Sequence, residues 1–240
     1  KNVLRNEKCE LARIYKFVTL LLNLKPDEHE FKVMGMAPYA KEKYYMKIVK
    51  EVFKDILQFN GLKIVHKKRP KDLFQFLKNK LKFHRFDNIA GAVQFYLEEM
   101  VDELVTKVGR KYKINTFFFS GGISMNIKMY NRLAKNKKVK KIYNPPSGSD
   151  ESISIGACYY LNRKENFFNL KKLSLGMPLV LKNKKLETVL NSNFRKSYSI
   201  QKNVPPEKIA NLLIKNKIIA LVNGREEFGA RALGNRSILA

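Results

Sequence analysis

Three arginines lie close together near the end of the chain, in "NGREEFGARALGNRSILA" (residues 223–240). Glycines separate Arg225, Arg231 and Arg236 and permit turns that bring the three side chains together. A guanidinium group binds phosphate or carboxylate through two parallel hydrogen bonds, which a lysine ammonium cannot reproduce. Because lysine far outnumbers arginine in the rest of the chain, the cluster predicts an anion site. The alternative is a loop closed by salt bridges to the two glutamates that follow Arg225.

A double glycine follows the apolar run in "FFFSGGISMN" (residues 117–126). Gly121 and Gly122 would let backbone N–H groups approach a phosphate or ribose at the start of a helix. The alternative is a simple turn. Asn126 places an amide one turn into that helix, where it could contact a nucleotide or be a surface polar residue.

Asp150 stands between a short strand closed by prolines and a helix of small residues. Its carboxylate could cap that helix or bind a metal ion. The three histidines, His29, His66 and His84, have no ligand spacing among themselves, so we expect no complete metal site within this chain.

The hydrophobic pattern predicts an α/β fold, because strand, glycine turn and helix follow one another. Apolar stripes predict helices, and short apolar runs predict strands. The predicted helices are 8–24, 41–58, 87–110, one within 124–135, one before 161, and 205–215. The predicted strands are a buried one at 116–119, then 140–146 and 218–222. We expect a loop at 31–40, Asp87 as the N-cap of the long helix, and its end at Gly109; residues 61–84 have no clear pattern.

The formal net charge of +27 raises the question of nucleic acid binding. The lysines are dispersed along the whole chain, whereas nucleic-acid-binding proteins concentrate arginines and aromatic residues on one face. Abundant Asn and Ile accompany the lysines, as is typical of an A/T-rich genome. We therefore expect no specific nucleic acid partner.

Other features of the chain bear on its compartment and extent. The two cysteines form neither a zinc pair nor a disulfide framework, so we expect a reducing cytoplasm. The longest apolar run near the start is too short to span a bilayer, so we expect no membrane partner. The chain starts without Met and stops directly after "SIL", so we expect an internal piece of a longer protein.

Four segments in order resemble the NodU/CmcH family of O-carbamoyltransferases. They are "EHEFKVMGMAPYAK" (28–41), "FFFSGGISMN" (117–126), "PPSGSDESISIGA" (145–157) and the arginine-rich segment at 223–240. The resemblance implies that residues 1–172 are the second lobe of an actin/sugar-kinase/Hsp70-like domain. Residues 173–240 would then begin a carbamoyl-adenylate-forming, YrdC-like domain.

The resemblance also implies functional residues. Gly121, Gly122 and Asn126 match the family's nucleotide-contacting segment. Asp150 matches an acidic ligand of a divalent metal, expected to be iron, whose histidine partners would lie upstream of this chain. Without those histidines, we expect the chain by itself to be inactive.

For the arginine-rich segment, the resemblance implies that Arg225, Arg231 and Arg236 bind carbamoyl phosphate and the phosphates of ATP. The implied reaction is ATP-dependent carbamoyl transfer, through carbamoyl-adenylate, to a hydroxyl of a sugar-like or other small-molecule acceptor. The chain departs from the family pattern at four positions in its loops: Ala40, Ser149, Ser152 and Ala230.

Two other classes of protein fit part of this pattern. A tRNA threonylcarbamoyl transferase would share the first domain and explain the basic charge, but it would not need the arginine-rich segment. A non-enzymatic binding module is disfavoured by the glycine turn and the arginines together. The sequence leaves the acceptor and the oligomeric state open.

Overall fold

The fold was analysed in a computed structural model that describes residues 5–7, 9–145, 147–163, 174–178, 188 and 200–240. It is a mixed α/β structure in which helices accompany small two-stranded sheets. The chain divides into two compact units, Lys1–Ser149 and Asp150–Ala240. The predicted domain boundary at residues 172/173 lies outside the described residues. In the described part, no helix is long and apolar enough to cross a membrane.

The first unit is mainly helical. Its helices are α1 (Leu11–Leu21), α2 (Glu30–Met36), α3 (Glu42–Ile48), α4 (Leu73–Leu81), α5 (Phe86–Tyr112) and α6 (Ile127–Lys135). Its strands are β1 (Leu57–Asn60), β2 (Lys63–His66), β3 (Thr116–Phe118) and β4 (Lys141–Tyr143).

Helix α5 is the centre of the first unit and packs against α1, α2, α3 and α6. Its predicted apolar stripe is confirmed as core by the buried side chains Ile89, Val93, Tyr96, Leu97 and Met100. Gly91 lets α5 lie close to Ala40, because a Cβ atom at position 91 would lie 2.4 Å from the Cβ of Ala40.

Both predicted ends of α5 are wrong. Arg85 is the N-cap, and Asp87 lies in the first turn, where its carboxylate accepts hydrogen bonds from the Arg85 guanidinium. That pairing and the partial positive charge of the helix start both favour a carboxylate there. At the other end α5 continues past Gly109 to Tyr112, and its C-cap Lys113 has a φ of 54°. Glycine is needed at 109 for space, since a Cβ would lie 2.9 Å from the carbonyl oxygen of Ile114.

The loop predicted at 31–40 is wrong. The segment forms α2 followed by a 3-10 turn at Ala37–Tyr39. Buried Val33 fixes α2 on the core, and Pro38 lies in the first turn of the 3-10 segment, where its missing N–H group costs no hydrogen bond.

The helix predicted at 41–58 is only partly confirmed. After α3 the chain widens into a π-helical turn at Val49–Phe53 and then enters β1. Strands β1 and β2 pair antiparallel around Gly61, whose φ of 61° closes the turn. The sequence reasoning missed this hairpin, although glycine at the first of two turn residues is a known hairpin signal.

Strands β3 and β4 pair in parallel, with Phe117 opposite Ile142 and Phe118 opposite Tyr143. The predicted strand at 116–119 is confirmed, but the expectation that it is buried is wrong. Phe117 packs toward the core while Phe118 is 67% exposed, because only one face of the pair is covered in the first unit.

The second unit contains α7 (Ser152–Leu161), α8 (Pro206–Ile214), β5 (Ile219–Val222) and β6 (Arg236–Leu239). The helix predicted at 205–215 and the strand predicted at 218–222 are confirmed. Strand β6 was not predicted. It pairs antiparallel with β5, so the arginine-rich segment is the connection of a two-stranded sheet.

Candidate functional site

The glycine turn (residues 120–122) lies where β3 ends. Gly121 has a φ of 96°, which favours glycine, and open space surrounds the Cβ positions of both Gly121 and Gly122. The N–H group of Gly121 donates to the carbonyl oxygen of Gly148, 2.7 Å away, in the loop that follows β4. The turn therefore lies at the carboxyl edge of a parallel strand pair, where α/β proteins commonly bind ligands.

The loop at 147–149 is packed tightly against the glycine turn. A Cβ atom on Gly148 would lie 1.7 Å from Oγ of Ser124, so only glycine fits. The N–H group of Gly148 points at Sδ of Met125 at 3.1 Å, and Ser147 is buried. The sequence reasoning missed Gly148, although two loops that leave neighbouring parallel strands are expected to meet.

Asn126 is the N-cap of α6, not a residue one turn inside it, and its Oδ1 accepts the N–H group of Met129 at 3.0 Å. It is not a surface residue either: it is buried, and its amide pairs reciprocally with Gln94 of α5, with both N–O distances 2.9 Å. Its buried amide therefore ties the segment after the glycine turn to the central helix.

The same polar network contains two titratable groups. The Tyr15 hydroxyl donates to Oε1 of Gln94 at 2.9 Å, and Nε2 of Gln94 donates to Glu98 at 2.7 Å. Burial raises the pKa of both Tyr15 and Glu98. Both groups therefore favour their neutral forms more than they would in water.

Asp150 is exposed at the start of the second unit. Its carbonyl oxygen accepts the N–H group of Ile153, while Glu151 occupies the N-cap position of α7 without a side-chain capping bond. Within the described part of the chain, no group of three or more His, Cys, Asp or Glu side chains is placed to hold a metal ion. Metal binding by Asp150 therefore stays a prediction.

Arg236 and Arg225 bind backbone carbonyl groups. The Arg236 guanidinium donates to the carbonyl oxygens of Asn223, Gly224, Asn235 and Met177, at distances between 2.8 and 3.3 Å. The Arg225 guanidinium donates to the carbonyl oxygen of Gly176 at 3.0 Å. Arg231 is partly buried. The convergence of the three on one anion stays a prediction, and the structure adds a loop-closing role for Arg236.

Residues 174–178 run beside the arginine loop (residues 223–236). Pro178 pairs with Arg225 in an antiparallel bridge, and backbone hydrogen bonds join Gly176 and Met177 to Glu226. A Cβ atom on Gly176 would lie 2.5 Å from the Cβ of Glu226, so glycine permits this contact. No sequence signal pointed to this pairing.

Glu227 accepts three backbone hydrogen bonds on one carboxylate oxygen. Its Oε1 lies 2.6 Å from the nitrogen of Leu233 and 3.2 Å from those of Asn235 and Arg236. These N–H groups, with that of Leu233 first, lower the pKa of Glu227 to about 2. The two expected salt-bridge glutamates thus differ: Glu227 binds backbone N–H groups, and Glu226 takes part through its backbone.

Comparisons with known proteins cover both units. A family model described as "Carbamoyltransferase N-terminus" matches residues 4–159, and one described as "Carbamoyltransferase C-terminus" matches residues 210–240. An uncharacterized protein of Methanocaldococcus jannaschii is 30% identical over 238 residues, which are 94% of this chain and 45% of that protein.

Two relatives carry names from nodulation. Nodulation protein NolO of Bradyrhizobium diazoefficiens is 26% identical over 88% of this chain and 40% of its own length. Nodulation protein U of Sinorhizobium fredii is 25% identical over 64% of this chain and 26% of its own length. The chain therefore spans less than half the length of these relatives.

Proposed function

Because the chain belongs to the carbamoyltransferase family, we propose that the full-length protein transfers a carbamoyl group from carbamoyl phosphate to a hydroxyl group, through carbamoyl-adenylate. The acceptor is a sugar-like or other small molecule. The single observation that carries the proposal is the occurrence of both family segments in one chain, in order.

The proposed reaction has three steps. Water releases phosphate from carbamoyl phosphate, and an oxygen of the resulting carbamate attacks the α-phosphorus of ATP and displaces pyrophosphate. The acceptor hydroxyl then attacks the carbamoyl carbon, loses its proton and displaces AMP. Carbamoyl phosphate and ATP both carry several negative charges, so positioning and charge neutralisation are the main tasks of the protein.

In this proposal the first unit contributes residues that contact the nucleotide. Residues 1–172, which comprise the first unit and the start of the second unit with Asp150, are the second lobe of an actin-like domain in the same proposal. Gly121 and Gly122 are exposed beside open space, so their backbone can approach ATP or the adenylate. Asn126 supports the glycine turn indirectly, because its buried amide holds the start of α6 in place.

The second unit contributes the charged groups. Asp150 offers a hard oxygen ligand for a divalent ion, such as iron, which would polarise a carbonyl or phosphoryl oxygen. Arg225 and Arg231 present guanidinium groups to carbamoyl phosphate and ATP, and Arg236 keeps the loop closed around them. Residues 173–240 begin a YrdC-like domain in this proposal.

The test uses the full-length protein with labelled pyrophosphate, ATP and carbamoyl phosphate. We expect label to enter ATP only when carbamoyl phosphate is present, and AMP to accumulate once a hydroxyl acceptor is added. No exchange and no AMP with a panel of sugar acceptors, together with threonylcarbamoylation of tRNA, would overturn the proposal in favour of the tRNA-modifying class.

A further inference from the structure

Glu227 lies in the arginine loop, and its carboxylate accepts hydrogen bonds from backbone N–H groups of the same loop. The N–H groups of Leu233, Asn235 and Arg236 converge on its Oε1, and the N–H group of Gly234 between them donates to Oγ of Ser237. Four consecutive backbone donors therefore have acceptors, and one carboxylate oxygen serves three of them.

The same carboxylate fixes the places from which the arginines act. By holding residues 233–236, it keeps Asn235 where its Nδ2 reaches the carbonyl oxygen of Arg225, 2.5 Å away, and Oγ of Ser174, 2.8 Å away. It also holds the first residue of β6, Arg236, whose guanidinium spans the loop to Gly224 and Met177. The Glu227 carboxylate thus holds residues 233–236, and Asn235 and Arg236 in turn join this part of the loop to Gly224 and Arg225.

We propose that Glu227 is a positioning residue: its carboxylate folds the arginine loop and thereby sets the guanidinium groups for their anion. The part of this inference that concerns the anion rests on the proposed function; the folding of the loop does not.

An ionised carboxylate is needed for this role. Hydrogen bonds to a charged acceptor are roughly twice as strong as neutral ones. Among the residues that the structure describes, the second oxygen, Oε2, is buried and has no hydrogen-bond partner, so a glutamine would bury an unsatisfied amide group there. The low pKa of Glu227, about 2, agrees with a carboxylate that stays ionised at neutral pH.

The experiment compares Glu227→Gln with Glu226→Gln in the full-length protein. Both changes remove one negative charge at adjacent positions, but Glu226 is exposed, and within the described residues its hydrogen bonds to this region are made by its backbone. The first readout is hydrogen exchange of the amides at residues 233–236. We expect Glu227→Gln to speed their exchange at least tenfold and Glu226→Gln to leave it unchanged.

The second readout is carbamoyl phosphate-dependent ATP–pyrophosphate exchange. We expect Glu227→Gln to raise KM for carbamoyl phosphate at least tenfold, with the melting temperature of the first unit unchanged and Glu226→Gln behaving as wild type. Unchanged amide exchange in Glu227→Gln would overturn the folding role. Faster amide exchange with normal KM and kcat would overturn the positioning of the arginines. If wild type itself lacks pyrophosphate exchange, the proposed function fails, while the amide-exchange readout still decides whether Glu227 folds the loop.

Discussion

Arg236 and Arg225 use the same guanidinium chemistry that the sequence predicts, but in this structure they use it on carbonyl groups. The planar fork of Arg236 reaches carbonyl oxygens on both sides of the loop, which an ammonium group cannot do. The residue type was therefore predictable from the sequence. Its partners were not, because Met177 is far from Arg236 along the chain and no pattern linked the two.

Replacing each clustered arginine by lysine separates these roles. We expect Arg225→Lys and Arg231→Lys to lower ATP–pyrophosphate exchange about a hundredfold, on the order of 2–4 kcal/mol for a lost preorganised contact. Arg236→Lys should lose exchange to a similar degree and also lower the melting temperature. Transfer from supplied carbamoyl-adenylate should survive in all three. Normal exchange in all three would leave the loop a purely structural element.

Asp150 gives a second test at the scale of one side chain. Asp150→Ala in the full-length protein should lower both metal occupancy and acceptor carbamoylation, because a carboxylate ligand is lost. Elemental analysis measures the first and product formation the second. The neighbouring Glu151→Ala is the matched control. Equal metal content in both variants and in wild type would mean that Asp150 is not a metal ligand.

At the scale of elements, the contact between α5 and α6 depends on buried amides. Asn126 is the N-cap of α6 and also pairs with Gln94, 32 residues earlier. A capping asparagine can be predicted from local sequence, but a partner on another helix cannot. Strand β3 was likewise predictable from its own apolar sequence. Strand β6 and the pairing of residues 174–178 depend on partners that are remote in sequence, and they were missed.

Loss of that amide should destabilise the first unit. We expect Asn126→Ala to lower the free energy of unfolding by about 2–4 kcal/mol, from about 1 for the cap and about 1–3 for the unsatisfied Gln94. Asn126→Ser keeps a capping oxygen and should cost less. Asn131→Ala, at an exposed position of the same helix, should change the free energy of unfolding by no more than about 0.5 kcal/mol. Urea unfolding measures all three, and equal values for Asn126→Ala and Asn131→Ala would contradict the role of the pair.

The sheet of β5 and β6 should respond to acid through Glu227. Its pKa is lowered in the folded state from 4.5 to about 2, so its contribution is fully present above about pH 4.5 and is lost as the pH falls toward 2. The difference in melting temperature between wild type and Glu227→Gln should therefore shrink over that interval. A difference that stays constant from pH 5 to pH 2 would mean that ionised Glu227 does not stabilise the loop.

At the scale of the whole molecule, the formal charge of +27 is the dominant property. Because the lysines are dispersed, we expect any binding to tRNA or DNA to be weak, independent of sequence and steeply reduced by salt. Titrations at two salt concentrations measure this. Sub-micromolar, sequence-selective binding to tRNA at physiological salt would contradict it.

The general plan of the molecule was largely predictable, and its boundaries were not. The α/β class, the long helix and the strand before the glycine turn followed from hydrophobic periodicity. Tertiary packing set the rest: the predicted helix at 41–58 is helical only through α3, and a π-helical turn whose Val49, Val52 and Phe53 are buried leads into β1. Space requirements at Gly91, Gly109 and Gly148 likewise depend on neighbours that are remote in sequence.

The half-covered pair β3–β4 has a consequence for handling the isolated chain. Phe118 and Tyr143 lie side by side in the parallel register and are 67% and 51% exposed. Two adjacent aromatic rings form an adhesive patch, and the large positive charge keeps molecules apart by mutual repulsion. At an ionic strength of about 0.1 M the screening length falls to about 10 Å, so added salt weakens that repulsion without weakening the adhesion. We therefore expect a concentrated sample of the isolated chain to lose solubility as salt is added, with this exposed aromatic pair among the surfaces that contribute to association.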